Sequence, residues 1–210
     1  MDLKIKVCGM RNEANVNALA ALWPDFMGFI FYPPSKRFVG LEFDKNLVSK
    51  LPDQIIKTGV FVNAQVHEVI EFSKLYGFKA VQLHGDETPE FCQKIKGEGF
   101  IVLKAFGLDD DFDFDSLKAY EAHVDYFLFD TKVDTYGGSG QTFDWTILDS
   151  YQLDQPFFLS GGLSLDNLES IKEINHQKFY GLDLNSKFEI EPGLKSIEKL
   201  TIAFSLIKKL

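Results

Sequence analysis

The stretch Ala80-Val81-Gln82-Leu83-His84-Gly85-Asp86-Glu87-Thr88-Pro89-Glu90-Phe91-Cys92-Gln93-Lys94-Ile95 reads as one strand, one short loop and the opening of one helix. Ala80–Leu83 is an apolar run of strand length. Thr88-Pro89-Glu90 then supplies an N-cap, a proline at the first helical position and an acid in the first turn. The buried side of that helix starts with Phe91 and Ile95, and a new apolar run follows at residues 100–104. Strand, helix and strand in that order imply two parallel neighbours, because parallel strands need a crossover and the helix provides it.

The same unit recurs outward in both directions. Strand-length apolar runs lie at residues 3–8, 26–31, 55–61, 80–83, 100–104, 126–129, 157–159 and 179–182. Between and after them, Val16, Leu19, Ala20 and Trp23 share a face by helical spacing, as do Ile197, Leu200, Phe204 and Ile207. Ser164 reads as the cap of a helix carrying Leu165, Leu168 and Ile171, while residues 42–50 and 143–150 are assigned helices because the alternation requires them. Eight such units close into an α/β fold, a (β/α)8 TIM barrel, for which 210 residues leave little room for insertions. A doubly wound open sheet would want a G-x-G-x-x-G turn after the first strand, and Cys8-Gly9-Met10-Arg11-Asn12 does not supply one. No linker or low-complexity tract divides the chain, so residues 1–210 read as a single barrel domain.

Composition removes several classes of function. Hydrophobic residues at 45% and charged residues at 25% exclude disorder and fibrous repeats, and 21 Phe point to a bulky interior. A net charge of −9 argues against nucleic-acid or anionic-membrane surfaces, since both reward a basic face. Two cysteines, Cys8 and Cys92, are too few for a disulfide scaffold, which suits a reduced, cytoplasmic setting. Neither a secretory leader nor a membrane span is expected, and no His, Cys or carboxylate cluster has metal-ligand spacing. The acidic run from Asp109 to Asp115 reads as a solvated loop and helix N-terminus. Oligomeric state is left open between monomer and homodimer.

In a barrel of this kind chemistry belongs at the C-terminal ends of the strands. Cys8 closes the first, His84 follows the fourth, Asp130 closes the sixth and Ser160-Gly161-Gly162 follows the seventh. Alternation puts Lys4, Lys6 and Cys8 inside, and two cations on its own face favour a thiolate over the plain reading of Cys8 as a small buried hydrophobe. Asp130 ends the run Tyr126-Phe127-Leu128-Phe129, where a carboxylate needs a partner or a ligand. His84 alone reads equally well as a structural imidazole or a ligand contact. Gly161-Gly162, ahead of the Ser164 helix, and Asn185-Ser186, after the eighth strand, match the usual phosphate site of such barrels.

These residues resemble the phosphoribosylanthranilate isomerase family of tryptophan biosynthesis. The resemblance is carried in order by Lys6-Val7-Cys8-Gly9-Met10, by the run from Gly28 to Arg37, by Gly59-Val60-Phe61-Val62-Asn63 and by Val81-Gln82-Leu83-His84-Gly85. It continues through Phe129-Asp130-Thr131, the run from Gly137 to Trp145 and Leu159-Ser160-Gly161-Gly162-Leu163. It implies an Amadori rearrangement of N-(5-phosphoribosyl)anthranilate to 1-(o-carboxyphenylamino)-1-deoxyribulose 5-phosphate, with no cofactor and no metal. By the family pattern Cys8 is the general base, Asp130 the general acid, and Arg37 the partner of the anthranilate carboxylate. Gln82, His84, Asp183, Asn185, Ser186, Gly161 and Gly162 fall at substrate-binding positions, the loops after strands seven and eight holding phosphate.

The chemistry fits that division. A protonated Asp130 in an aromatic setting can protonate the ring oxygen, and a base at Cys8 can remove the C2′ proton of the resulting iminium. The chain departs from the family at Asp183-Leu184-Asn185-Ser186-Lys187-Phe188-Glu189, where a glycine is replaced, at Pro192-Gly193-Leu194-Lys195-Ser196, and at Arg11. The analogous isomerase of histidine biosynthesis would carry aspartate where this chain has Cys8. A catalytically silent phosphate-binding barrel is disfavoured by the presence of both Cys8 and Asp130.

Overall fold

In the computed structural model, residues 3–40, 42–132 and 143–210 are described. The strands β1 (Lys4–Val7), β2 (Phe26–Ile30), β3 (Ile56–Phe61), β4 (Ala80–Leu83), β5 (Ile101–Leu108), β6 (Tyr126–Thr131), β7 (Phe157–Leu159) and β8 (Phe179–Leu184) close into a parallel barrel in chain order. The closure is made by β8 on β1, with Lys4 opposite Gly181 and Lys6 opposite Asp183. The eight strands lie where the apolar runs place them, within a few residues at their ends.

Alternation along each strand sorts two cores. Ile5, Val7, Phe29, Val81, Phe127 and Phe129 face the surrounding helices, while Phe26, Ala80, Leu103, Ala105, Leu128 and Phe158 fill the barrel. A Cβ at Gly181 would fall 2.4 Å from Lys4 O and 2.8 Å from Phe158 Cε1, so the missing side chain leaves the barrel floor to that phenyl ring. Higher up, the inward positions change character to Cys8, Ile30 and Val60, then to Gln82, Asp130 and Asp183. The floor is apolar and the mouth is polar.

Five α-helices pack outside: α1 (Glu13–Ala20), α2 (Lys45–Ser49), α3 (Val66–Tyr76), α4 (Pro89–Gly97) and α5 (Ile197–Ile207). Thr88 caps α4 by accepting from Phe91 N at 3.3 Å, with proline in the first turn. The assigned helix at 42–50 is α2, capped by Asp44. After β5, β6 and β7 the covers are 3-10 helices, Phe114–His123, Trp145–Ser150 and Leu168–Glu173. Asp113, within the acidic run, caps the first of these, as a carboxylate at a helix N-terminus should.

Two expectations fail locally. Trp23 does not continue the α1 face: it is 57% exposed with φ +57, because the helix ends at Ala20 and Pro24 disfavours a helical residue before it. Ser164 does not open a long helix carrying Leu165. Asn167 Oδ1 accepts from Ser164 N at 2.8 Å and Ser164 Oγ from Asp166 N at 3.3 Å, so Ser164 does cap a single turn, closed by Leu168 N on Ser164 O at 3.1 Å, while the regular helix begins only at Leu168. An element not expected from the sequence is the antiparallel hairpin of β9 (Glu189–Glu191) and β10 (Leu194–Lys195), between β8 and α5. Among the described residues no helix is long and apolar enough to cross a membrane.

Candidate active site

A pocket opens at the C-terminal ends of the strands, and seven of the expected site residues line it: Cys8, Arg37, Gln82, His84, Asp130, Asp183 and Asn185. Ser160 joins them, whereas Gly161, Gly162 and Ser186 lie beside the pocket and not in its wall. Most of the motif running from Gly137 to Trp145 lies outside the described residues, which resume at Phe143.

Cys8 takes its place at the mouth because Gly28, on the neighbouring strand, gives way to it. A Cβ there would sit 2.8 Å from Cys8 Sγ. Below it, Lys6 donates to Asp183 Oδ2 at 2.9 Å with both side chains buried. Burial acts to discharge Lys6, yet Asp183 and Cys8 outweigh it and hold the lysine pKa above its usual range. The expectation of a ready thiolate fails here. Burial raises the Cys8 pKa above that of an ordinary thiol, and Lys6 only partly offsets this, so Cys8 is a neutral thiol.

Asp130 faces the pocket from β6, with β7 and β8 between it and Cys8 on the shorter path round the barrel. Burial, with Asp183 nearby, pushes its pKa up to about 6, against the opposing pull of Thr131 N–H, which donates to Asp130 Oδ1 at 2.8 Å. This is the direction an acid catalyst requires. Gly161, at φ +81, presses its backbone against this carboxylate: a Cβ would fall 2.5 Å from Thr131 N and 2.8 Å from Asp130 Oδ1. His84 Nε2 lies 3.6 Å from Asp130 Oδ2, and its Nδ1 is 2.7 Å from Gln82 Nε2. Burial and the positive charges of Lys104 and Lys6 lower the His84 pKa to about 3, so the ring is neutral. Gln82 Oε1 and Asp183 Oδ1 are buried acceptors without a hydrogen-bond partner, and both belong to pocket-lining residues. Buried acceptors without a partner are uncommon in folded proteins.

Arg37 reaches the pocket from the loop after β2. Its Nε donates to Glu189 Oε1 at 2.9 Å and its Nη2 to Glu189 Oε2 at 2.7 Å. Glu189 also accepts from Lys195 Nζ at 2.7 Å and Gly193 N at 3.0 Å. Lys195, almost fully buried, continues to Asn185 Oδ1 at 2.6 Å, and burial lowers its pKa to about 8 despite Glu189. Gly9, at φ +81, lies beneath both arms: a Cβ would meet Arg37 Cδ at 2.8 Å and Asn185 Oδ1 at 3.1 Å. Sequence reasoning missed Glu189 and Lys195. Their signal was a pair of opposite charges flanking Pro192-Gly193, the pattern of a turn that brings them together. Lys187, which replaces the family glycine, is exposed and does not line the pocket. Arg11 is exposed as well, its Nη1 3.4 Å from Lys36 O. Among the described residues no three His, Cys, Asp or Glu converge as a metal site.

Residues 5–205 match the family described as N-(5'phosphoribosyl)anthranilate (PRA) isomerase. The N-(5'-phosphoribosyl)anthranilate isomerase of Parabacteroides distasonis is 47% identical over 197 residues, covering 93% of this chain and 89% of its own. Among solved structures, monomers generated from the dimeric phosphoribosylanthranilate isomerase of Thermotoga maritima superpose with TM-score 0.85 at 30% identity, covering 99% of this chain and 100% of that one. A phosphoribosylanthranilate isomerase in complex with reduced 1-(o-carboxyphenylamino)-1-deoxyribulose 5-phosphate superposes with TM-score 0.83 at 28% identity, covering 99% and 100%.

Proposed function

Since the chain belongs to the phosphoribosylanthranilate isomerase family and is an isomerase of tryptophan biosynthesis, we propose that it works through Asp130 as general acid and Cys8 as general base. The observation that carries this assignment is a carboxyl held protonated to about pH 6 in the same pocket as a cysteine two strands beyond its nearest neighbour. Asp130 gives its proton to the furanose ring oxygen as the C1′–O bond breaks, and the anilino nitrogen lone pair forms the iminium. Cys8 takes the C2′ proton, leaving an enolamine that tautomerises to the ketone. Cys8 is a neutral thiol and Asp130 ionised near neutral pH, so the reactive form is the one in which their single proton sits on Asp130 and Cys8 is the thiolate, which the Lys6 ammonium favours.

The remaining residues bind. Arg37 offers its free Nη1 edge to the anthranilate carboxylate. Asp183 Oδ1 and Gln82 Oε1 accept from sugar hydroxyls, supported by their lack of partners. His84, neutral, lies against Asp130. The phosphate is held between Gly161-Gly162, both left-handed, and Asn185-Ser186; because the following helix starts late and is short, backbone N–H groups and Asn185 carry this contact in place of a helix dipole. Residues 1–210 act as one barrel, as monomer or homodimer, without cofactor, metal or nucleic-acid partner. Two free, buried thiols suit a cytoplasmic setting.

The test is a fluorescence assay with phosphoribosylanthranilate generated in situ. Asp130→Asn and Cys8→Ser should each cost at least ~100-fold in kcat, the lower end of general acid-base catalysis. A folded Cys8→Ser enzyme that keeps most of its kcat removes Cys8 as the base.

A further inference from the structure

The pocket arginine is held from behind by a carboxylate that belongs to a different part of the barrel. Arg37 and Glu189 are 152 residues apart in sequence, and the contact uses one whole edge of the guanidinium, Nε and Nη2. Nη1 makes no hydrogen bond among the described residues, and Arg37 lines the pocket, so the unused edge is the one available to a ligand. Glu189 is not free to turn. Its carboxylate also receives Lys195 Nζ and Gly193 N. Lys195 is in turn fixed through its backbone, donating N–H to Asn15 Oδ1 at 2.8 Å and accepting from Asn15 Nδ2 at 2.9 Å.

Charge supports the same reading. Arg37 and Lys195 share the single carboxylate of Glu189, which leaves one positive charge uncompensated in this cluster. A purely structural ion pair would balance. A cluster one anion short, with a planar donor edge open to a pocket, is complementary to a carboxylate.

We propose that Glu189 is a positioning residue for recognition of the substrate's aromatic carboxylate, fixing the plane of Arg37 so that its outer edge meets that group, with Lys195 bracing Glu189. The proposal rests on the assignment of Arg37 to the carboxylate. Through Lys195 and Asn185 the same brace reaches the loop after β8, so one hairpin, β9–β10, sets the spacing between the two ends of the ligand.

The test uses two stable reduced product analogues, one bearing the ortho carboxylate and one with plain phenyl in its place, and measures both dissociation constants. In the wild-type protein the carboxylate should favour binding, and Arg37→Ala should bring the ratio of the two constants close to one. Glu189→Gln should lower the ratio of the two constants about tenfold, equivalent to about 1.4 kcal/mol, any loss through Asn185 falling on both analogues alike. Because Glu189→Gln leaves Lys195 buried without its partner, the double variant Glu189→Gln/Lys195→Met removes the pair together and should give the same tenfold fall in the ratio if the single variant does not fold. Equal weakening of both analogues, or no change in either, overturns the proposal and makes the pair structural. If Arg37→Ala leaves the ratio at its wild-type value, the Arg37 assignment fails first and takes the proposal with it.

Discussion

Asp130 and Cys8 have pKa values in the opposite order from the one their proposed roles as acid and base would suggest. The acid titrates near pH 6 and the base above the ordinary thiol value of 9.0, so the reactive arrangement, proton on Asp130 and none on Cys8, is the minor form of the singly protonated pair. Its fraction is nevertheless constant between the two values. The pH dependence of kcat/KM should therefore rise through about pH 6, stay level, and fall only above about pH 9. A profile that declines between pH 6 and 8 would sink this assignment. Asp130 also makes a stability statement. Its folded pKa is raised above the unbound 3.8, so the stability it contributes is present below that value and lost as pH rises through about 6. Asp130→Asn should consequently be inactive yet more stable than wild type at pH 8, by an order of 1–3 kcal/mol, with the gain gone at pH 4. Thermal unfolding at the two pH values checks it; a gain of the same size at both would refute the linkage. That Cys8 and Asp130 face one pocket was legible in the sequence because each closes a strand of the barrel. The sign of the Cys8 shift was not, since it depends on how completely the barrel closes over the thiol.

Elements position these residues through what they lack as much as through what they present. Gly28 leaves room for Cys8 Sγ, and a Cβ there, 2.8 Å away, would push the thiol off its place. Gly28→Ala should lower kcat by tenfold or more while the protein stays folded, because the displaced atom can move toward the open pocket; unchanged kcat would show that Cys8 has slack. At the outer surface, Thr88→Ala removes the α4 cap and should cost about 1 kcal/mol in a denaturant titration without altering activity. Strands were legible because short apolar runs alternate with helix-period segments along the whole chain, which only a crossover-connected parallel sheet accommodates. The covers after β5 and β7 were less so. Ser164 caps a turn as its residue type suggests, but the regular helix starts only at Leu168, a break that periodicity does not record. The β9–β10 hairpin was hidden for a different reason: its two strands are three and two residues long and bury charge, not apolar surface.

The molecule as a whole places ion pairs where a barrel usually has hydrocarbon. Lys6 with Asp183 lies inside the strands, and Lys104 with Glu87 lies beneath the loop carrying His84. Such pairs add little net stability, yet breaking one strands a buried charge. Asp183→Asn should therefore destabilise the fold by about 3–5 kcal/mol, measurable as a shifted urea midpoint with an unchanged slope; a shift below about 1 kcal/mol would mean that water reaches Lys6. The division into apolar floor and polar mouth has a parallel in how the protein meets light. With 21 Phe against 2 Trp, the indole signal of this protein comes from only two positions. Trp23 is 57% exposed at the end of α1, so its emission changes less on unfolding than that of a buried indole. Trp145, half-buried at the start of the helix after β6, is the indole that reports folding, and Trp23→Phe would turn a two-source indole spectrum into a single-site probe.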